Sequence, residues 1–368
     1  MATKGIRSAY GKLSRFLPSK LYTRNYCHPV TDEQYLYHPM VRPLEPEAQT
    51  LSLTKTLNMG DISSCLHDTS IDSVTREEMM GKFKQNILQT RLFNFDGEHA
   101  TRDMAAMPLM QNMLRVVWSY AKCFPGMLDT SLTFKPHVSA NWEREHTILV
   151  SGHLGFLLSS KIPLKQVADR NEIEKSKEIQ VENPEIISPV FHLPLTRIRP
   201  KFDTGFHSSP PFPYPHTFII VSEDIKCSTG QLIGQGIMFV CARLVAEAVQ
   251  SYKYQLGDDL EKPLSSQCII TDGIRLSFIN YQLNTLSFHG NEGIKNMAWI
   301  SPGVFMYKKA MFEDLEKPVA EKTVKERKRF RRPVTLKDPA KHEIVLEEFN
   351  PDCFETFVKM IVNGCKAI

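Results

Sequence analysis

The densest cluster of charged side chains is Lys322, Lys325, Arg327, Lys328, Arg329, Arg331 and Arg332, with Phe330 set among them. Cations at this density neutralise phosphates and release counterions, which favours RNA binding at modest salt. An aromatic ring between them can stack on an unpaired base. A solvated linker has the same composition. What favours the binding role is that these cations cluster on an otherwise acidic body.

Other residues with chemical potential are more scattered. His216, between Pro215 and Thr217, is of the residue type that serves as a general base, though a satisfied structural histidine is the better reading. Asp272 can act as an acid, but in Asp272-Gly273 its turn role already accounts for it. Cys65-Leu66-His67 is an isolated pair, and no C-x-x-C spacing accompanies it. The eight cysteines therefore read as free thiols, mostly buried, in a reducing compartment. Gly234-Gln235-Gly236 begins like a dinucleotide-binding turn, but Phe239 stands where the third glycine belongs, so helix packing is the better reading. No P-loop, G-x-S-x-G or H-E-x-x-H string occurs.

The net charge hides three populations. Lys+Arg number 45 and Asp+Glu 41 over 368 residues. Residues 1–31 hold six cations and no acid, so 39 cations face 41 anions in the remainder. The run Lys317 to Arg332 holds eight cations and two acids; without it the body carries −8. The first segment is Arg- and Ser-containing and acid-free, with Ile6, Tyr10, Leu13 and Leu17 at helical spacing. That is the composition of a mitochondrial transit peptide. A disordered basic arm that binds RNA is the competing reading. No run of about 18 apolar residues is present, since Gln235, Arg243 and Glu247 interrupt the longest, so stable membrane insertion is not expected.

Several elements must position these groups. Residues 27–50, with four prolines and two tyrosines, read as extended chain rather than helix. Apolar periodicity predicts helices at about 75–90, 104–123, 231–254 and 351–362. Thr75 and Glu78 suggest a capping box for the first, and Gly257 a stop for the third. A charged helix from Asn171 to Ile179, capped by Asn171, lies between them. Strands are expected over Leu132–Leu158 and Phe218–Val221. Cys268–Ile270 and Leu276–Ile279 should flank the Asp272-Gly273 turn as a hairpin, continuing to Leu283. Pro184–Pro215 is loop-rich. The fold expected is α+β: a largely antiparallel sheet packed with several helices, preceded by an extended N-terminal arm.

Four strings then point one way. They are Val138-Ser139-Ala140-Asn141-Trp142-Glu143-Arg144-Glu145; Asp203-Thr204-Gly205-Phe206 with Pro213-Tyr214-Pro215-His216-Thr217; Thr271-Asp272-Gly273 with Tyr281-Gln282-Leu283-Asn284-Thr285; and Asn291-Glu292-Gly293-Ile294-Lys295-Asn296-Met297-Ala298-Trp299. In that order the chain resembles the family of mitochondrial ribosomal proteins numbered thirty-seven and thirty, and its large-subunit thirty-seven branch in particular. The resemblance runs from about Leu51 to Ile368. It implies a non-catalytic structural constituent of the mitochondrial large ribosomal subunit. Its partners would be the large-subunit rRNA, the paralogous protein thirty and neighbouring large-subunit proteins, with no cofactor or metal.

The organisation expected is a transit peptide at 1–31, an extended Pro/Tyr arm at 32–50 and a family domain at 51–368. Within the last, 51–126 is open to being a helical lobe, 127–310 is the α+β core, 317–332 a basic linker and 351–362 the C-terminal helix. The rival function is a mitochondrial matrix enzyme acting on RNA or nucleotides, with His216 and Asp272 in its site.

Overall fold

The computed structural model describes residues 34–43, 45–66, 71–93, 102–144, 146–181, 201–206, 211–222, 227–314 and 342–365. The chain opens with β1 (Gln34–Tyr37), α1 (Pro46–Leu53) and β2 (Thr56–Asn58). Two long helices follow, α2 (Ser73–Phe93) and α3 (Arg102–Ser119). Next come β3 (Thr130–Phe134), β4 (His137–Glu143), β5 (Thr147–His153), β6 (Phe156–Ser160) and the short α4 (Arg170–Lys175). The second half runs β7 (Tyr214–Val221), α5 (Thr229–Gln250), β8 (Asp259–Thr271), β9 (Arg275–Thr285) and β10 (Asn296–Phe305). It ends with β11 (Lys309–Asp314), β12 (His342–Glu347) and α6 (Pro351–Asn363).

Seven strands form the main sheet in the order β2-β10-β9-β8-β7-β6-β3, and a second sheet has the order β1-β5-β4. Most pairings are antiparallel, as expected of the α+β reading. Three are parallel: β1 with β5, β2 with β10, and β7 with β8. The last pair needs a crossover, and α5 supplies it. Both faces of the main sheet are covered, so its strands carry apolar residues on both sides. Phe218 and Ile220 face α5 and the small sheet, while Ile219 and Val221 face α2, α3 and α6.

Helix α5 lies between the two sheets. Its sequence is apolar all round, the pattern of a helix with no solvent face. By length and composition it is apolar enough to cross a membrane, yet most of its surface is enclosed within this fold. Ser228 and Gln231 form a reciprocal capping box, with Ser228 Oγ accepting from the Gln231 amide at 3.2 Å and Gln231 Oε1 from the Ser228 amide at 3.0 Å. Close packing explains its glycines. A Cβ on Gly234 would lie 2.8 Å from the Pro46 carbonyl oxygen, and one on Gly236 2.4 Å from Ile270 Cδ1.

Several boundaries differ from expectation, each for a local reason. Helix α2 starts at Ser73 because Asp72 Oδ2 accepts from the Thr75 amide at 2.9 Å; Asp72, not Thr75, is the cap. Asp169 caps α4 in a capping box with Glu172, which places Asn171 inside the helix. Helix α5 ends at Gln250, and Gly257 (φ +104°) serves a turn before β8 instead. Extended chain holds at β1, but from Pro46 the backbone is helical, since proline at the first helical position gives up no needed amide. The hairpin is present, with Gly273 at φ +86°, and β9 runs on to Thr285.

Candidate nucleic-acid interface

The expected phosphate-binding cations, Lys322 to Arg332, lie outside the described residues. Their attachment is described. Strands β11 and β12 pair antiparallel with Asp314 opposite His342, so the chain leaves and rejoins the body at adjacent points beside α2. At the far end of this ribbon Lys308 Nζ meets Glu348 Oε1 at 2.7 Å, both side chains exposed. Such a surface pair contributes little to stability.

A second group of cations escaped the sequence reading. Lys55, Arg144 and Lys295 are 1%, 6% and 0% exposed and converge on the loop between β9 and β10. Lys55 stands between α1 and β2 with a left-handed backbone (φ 49°) and donates to the carbonyls of Ser287 at 2.8 Å and Glu292 at 2.6 Å. Arg144, just past β4, donates through Nη1 to the carbonyls of Phe288 (2.6 Å) and Gly290, and through Nη2 to Asn291 Oδ1 at 2.6 Å. Lys295 Nζ donates to the Gly293 carbonyl at 2.6 Å. Burial, followed by the charges of Lys295 and Arg144, pushes the Lys55 amine down to about 8; nearby Asp259 and Glu292 oppose the shift. Burial and Arg144 lower Lys295 as well.

Beneath this loop two of the resembling strings, 281–285 and 291–299, form one polar network. Asn296 Oδ1 accepts from the amides of Asn284 (2.8 Å) and Thr285 (3.1 Å), and its Nδ2 donates to the Thr54 carbonyl. Asn284 Nδ2 donates to the Lys295 carbonyl, and Gln282 Oε1 accepts from the amides of Val167 and Ala168. Buried polar groups of this kind need such partners. These two strings are thus parts of a structural joint that ties β2, β9, β10 and the segment before α4 together.

The residues of the rival enzymatic reading are kept apart. His216 on β7 is fully buried, and the neighbour of Thr217, which pairs with Gln267; Asp272 follows Thr271, which pairs with Val221 at the other end of the same strands. Burial, then the charge of Arg243, holds the imidazole down to about 3. Its Nδ1 lies 2.7 Å from Thr217 Oγ1, and Gly364 packs against its ring. For Asp272, burial works to raise the carboxyl, but the backbone amide and guanidinium of Arg275 and the Ile274 amide outweigh it and hold it below the usual range. Arg275 Nη2 lies 2.7 Å from its Oδ2. Each residue has a structural role, and neither faces the other.

Cys65 is buried, and His67 lies outside the described residues. Among the described residues no three His, Cys, Asp or Glu side chains are arranged to hold a metal. All described cysteines except Cys123 are buried, and burial pushes Cys241, Cys353 and Cys365 up to about 12.

Comparison with known proteins gives a consistent picture. The family described as "Mitochondrial 28S ribosomal protein S30 (PDCD9)" matches residues 231–364, from α5 to α6. Large ribosomal subunit protein mL37 of Gallus gallus is 29% identical over 286 residues, covering 75% of this chain and 66% of that protein. The Bos taurus protein of the same name is 28% identical over 292 residues, covering 76% of this chain and 68% of its own length. That of Rattus norvegicus is 26% identical over 347 residues, covering 91% and 77%. The matched stretch thus spans about two thirds of the first two relatives. The chain is a homologue of the mL37 proteins, related to them over most of its length.

Proposed function

We propose that this protein is a structural constituent of the mitochondrial large ribosomal subunit, acting in the matrix to support mitochondrial translation. The observation that carries the reading is similarity to large ribosomal subunit protein mL37 over three quarters or more of the chain in four vertebrates. The family match over residues 231–364 agrees on a mitochondrial ribosomal protein. Such a protein works by buried contacts and fixed cations rather than turnover, and no observation favours the enzymatic alternative. Partners of this reading are rRNA and neighbouring ribosomal proteins, among them the paralogous protein thirty. Residues 1–31 act as the import address. The run Lys322 to Arg332 contacts rRNA phosphates, a role supported by its charge alone.

Sucrose-gradient sedimentation of the tagged protein from purified mitochondria, with and without EDTA, tests the reading. Co-migration with large-subunit rRNA that persists when whole ribosomes split is expected. Sedimentation at the top of the gradient beside intact ribosomes overturns it. Two finer tests follow. Deleting residues 1–31 should abolish matrix accumulation. Replacing Lys328, Arg329, Arg331 and Arg332 by Glu should weaken rRNA binding and flatten its salt dependence in a filter-binding assay; an unchanged slope removes the run from the interface.

A further inference from the structure

We propose that the loop from Phe288 to Ile294 is an anion-binding loop that receives a phosphate of an RNA backbone. Three observations converge on it. First, the carbonyls of Ser287, Phe288, Gly290, Glu292 and Gly293 all accept from the buried cations Lys55, Arg144 and Lys295. Second, among the described residues no acceptor meets the amides of residues 288–294, whereas the flanking amides of Ser287 and Lys295 both donate, to Thr285 Oγ1 and Ser176 Oγ. Third, the tip residues His289, Gly290, Glu292 and Gly293 are exposed, and a Cβ on Gly290 or Gly293 would meet nothing within 4 Å.

The physical consequence is directional. Carbonyls drawn inward turn the positive ends of their peptide dipoles toward the surface, where successive amides attract anions. The three buried charges lie on the same side of that layer, in a medium that screens them weakly. Gly290 (φ +61°) and Gly293 (φ +79°) allow the backbone to turn, and without side chains they leave room for a phosphate oxygen. The side chain of Asn291 is already committed, to Arg144 and to the Val181 carbonyl. The loop also carries its own acid, Glu292, which offsets part of the charge. A phosphodiester fits better than an acidic side chain because its bare oxygens approach a glycine tip without a stem.

The inference rests on the ribosomal reading for its choice of RNA, and the experiment separates the two. The full chain, with Lys328, Arg329, Arg331 and Arg332 replaced by Glu to silence the basic run, is titrated with a short RNA duplex, inorganic phosphate and a poly-glutamate peptide. Backbone amide resonances of residues 289–293 are followed, and RNA affinity is measured at several salt concentrations. RNA should shift these amides at far lower concentration than inorganic phosphate does. Glu292→Gln should raise RNA affinity several-fold, and Glu292→Lys more, steepening the salt slope by about 0.7–0.9 for each additional phosphate neutralised. A gain of this kind cannot come from misfolding. Amides unmoved by RNA, or affinity unchanged in both variants, overturns the proposal while leaving co-sedimentation of the wild-type chain intact. Shifts with poly-glutamate in place of RNA replace RNA by an acidic protein partner. RNA-dependent shifts in a chain that stays at the top of the gradient keep the loop and remove the ribosome.

Discussion

Arg243 and the group of Lys55, Arg144 and Lys295 are buried to similar depth and accommodated in different ways. Arg243, on α5 between the sheets, has a carboxylate one helical turn away: Glu247 Oε2 lies 3.0 Å from its Nη1. The group at the end of the main sheet is held largely by carbonyl oxygens, drawn from one loop. A carboxylate cancels charge within the core. A carbonyl satisfies hydrogen bonds but leaves the charge, which then acts on its surroundings. The first arrangement keeps its countercharge within the core, and the second still has a field to offer.

The comparison can be broken most sharply at α5. Glu247→Ala should cost about 3–5 kcal/mol in a urea titration, because an uncompensated buried guanidinium remains. The double change Arg243→Met with Glu247→Leu should be close to neutral or stabilising, as expected when a buried pair gives way to apolar packing. A large loss in the double variant would mean the pair has a role beyond mutual compensation.

At the other site Arg144→Met should cost less, roughly 2–3 kcal/mol, since it strands carbonyls but also removes repulsion among cations. It should raise the Lys55 pKa above about 8, followed through the Cε resonance of labelled lysine. A Lys55 pKa that stays put would remove Arg144 from its causes and leave burial and Lys295.

The pH dependence sharpens the contrast further. His216 is held to about 3 when folded, below its unfolded value near 6.5. Between those values the unfolded state binds the extra proton, so stability is full above pH 6.5 and falls as pH drops toward 3. At pH 5 the loss should be about 2 kcal/mol. Burial is the larger cause and Arg243 the smaller, so Arg243→Met should leave most of this slope in place. Lys55 works in the alkaline range with the same sign: its folded amine releases its proton first, so its contribution rises between about pH 8 and 10.5. Followed across that range, the effect should appear as an upward trend in stability that Lys55→Met removes.

The elements legible in the sequence were those whose signals are contiguous. Helix α5 announced itself through its apolar periodicity, and the β8–β9 hairpin through Asp272-Gly273. Caps were misplaced by two or three residues, because Asp72 and Asp169 look no different from their polar neighbours until the backbone direction is known. The parallel pairings were hidden, since strand composition does not encode a distant partner. The buried cations were hidden for the same reason: Lys55 and Glu292 are 237 residues apart in sequence. The string Asn291 to Trp299 was conspicuous as a resemblance, but its role in holding a loop and anchoring Asn296 exists only in three dimensions. The basic run was legible as charge and lies outside the described residues.

One pairing has a bearing on how the molecule is made. Thr56 lies beside Asn296, and Trp142 Nε1 donates to the Leu53 carbonyl. At about 5–20 residues per second, the ribosome takes roughly ten to fifty seconds to deliver a partner some 240 residues downstream. Throughout that interval β2 emerges as an orphan edge, and the apolar α5, once made, still lacks the strands β8 to β10 that cover one of its sides. The nascent chain therefore passes through a long aggregation-prone stage. Maturation should depend on a holdase engaged before the last third of the chain is synthesised.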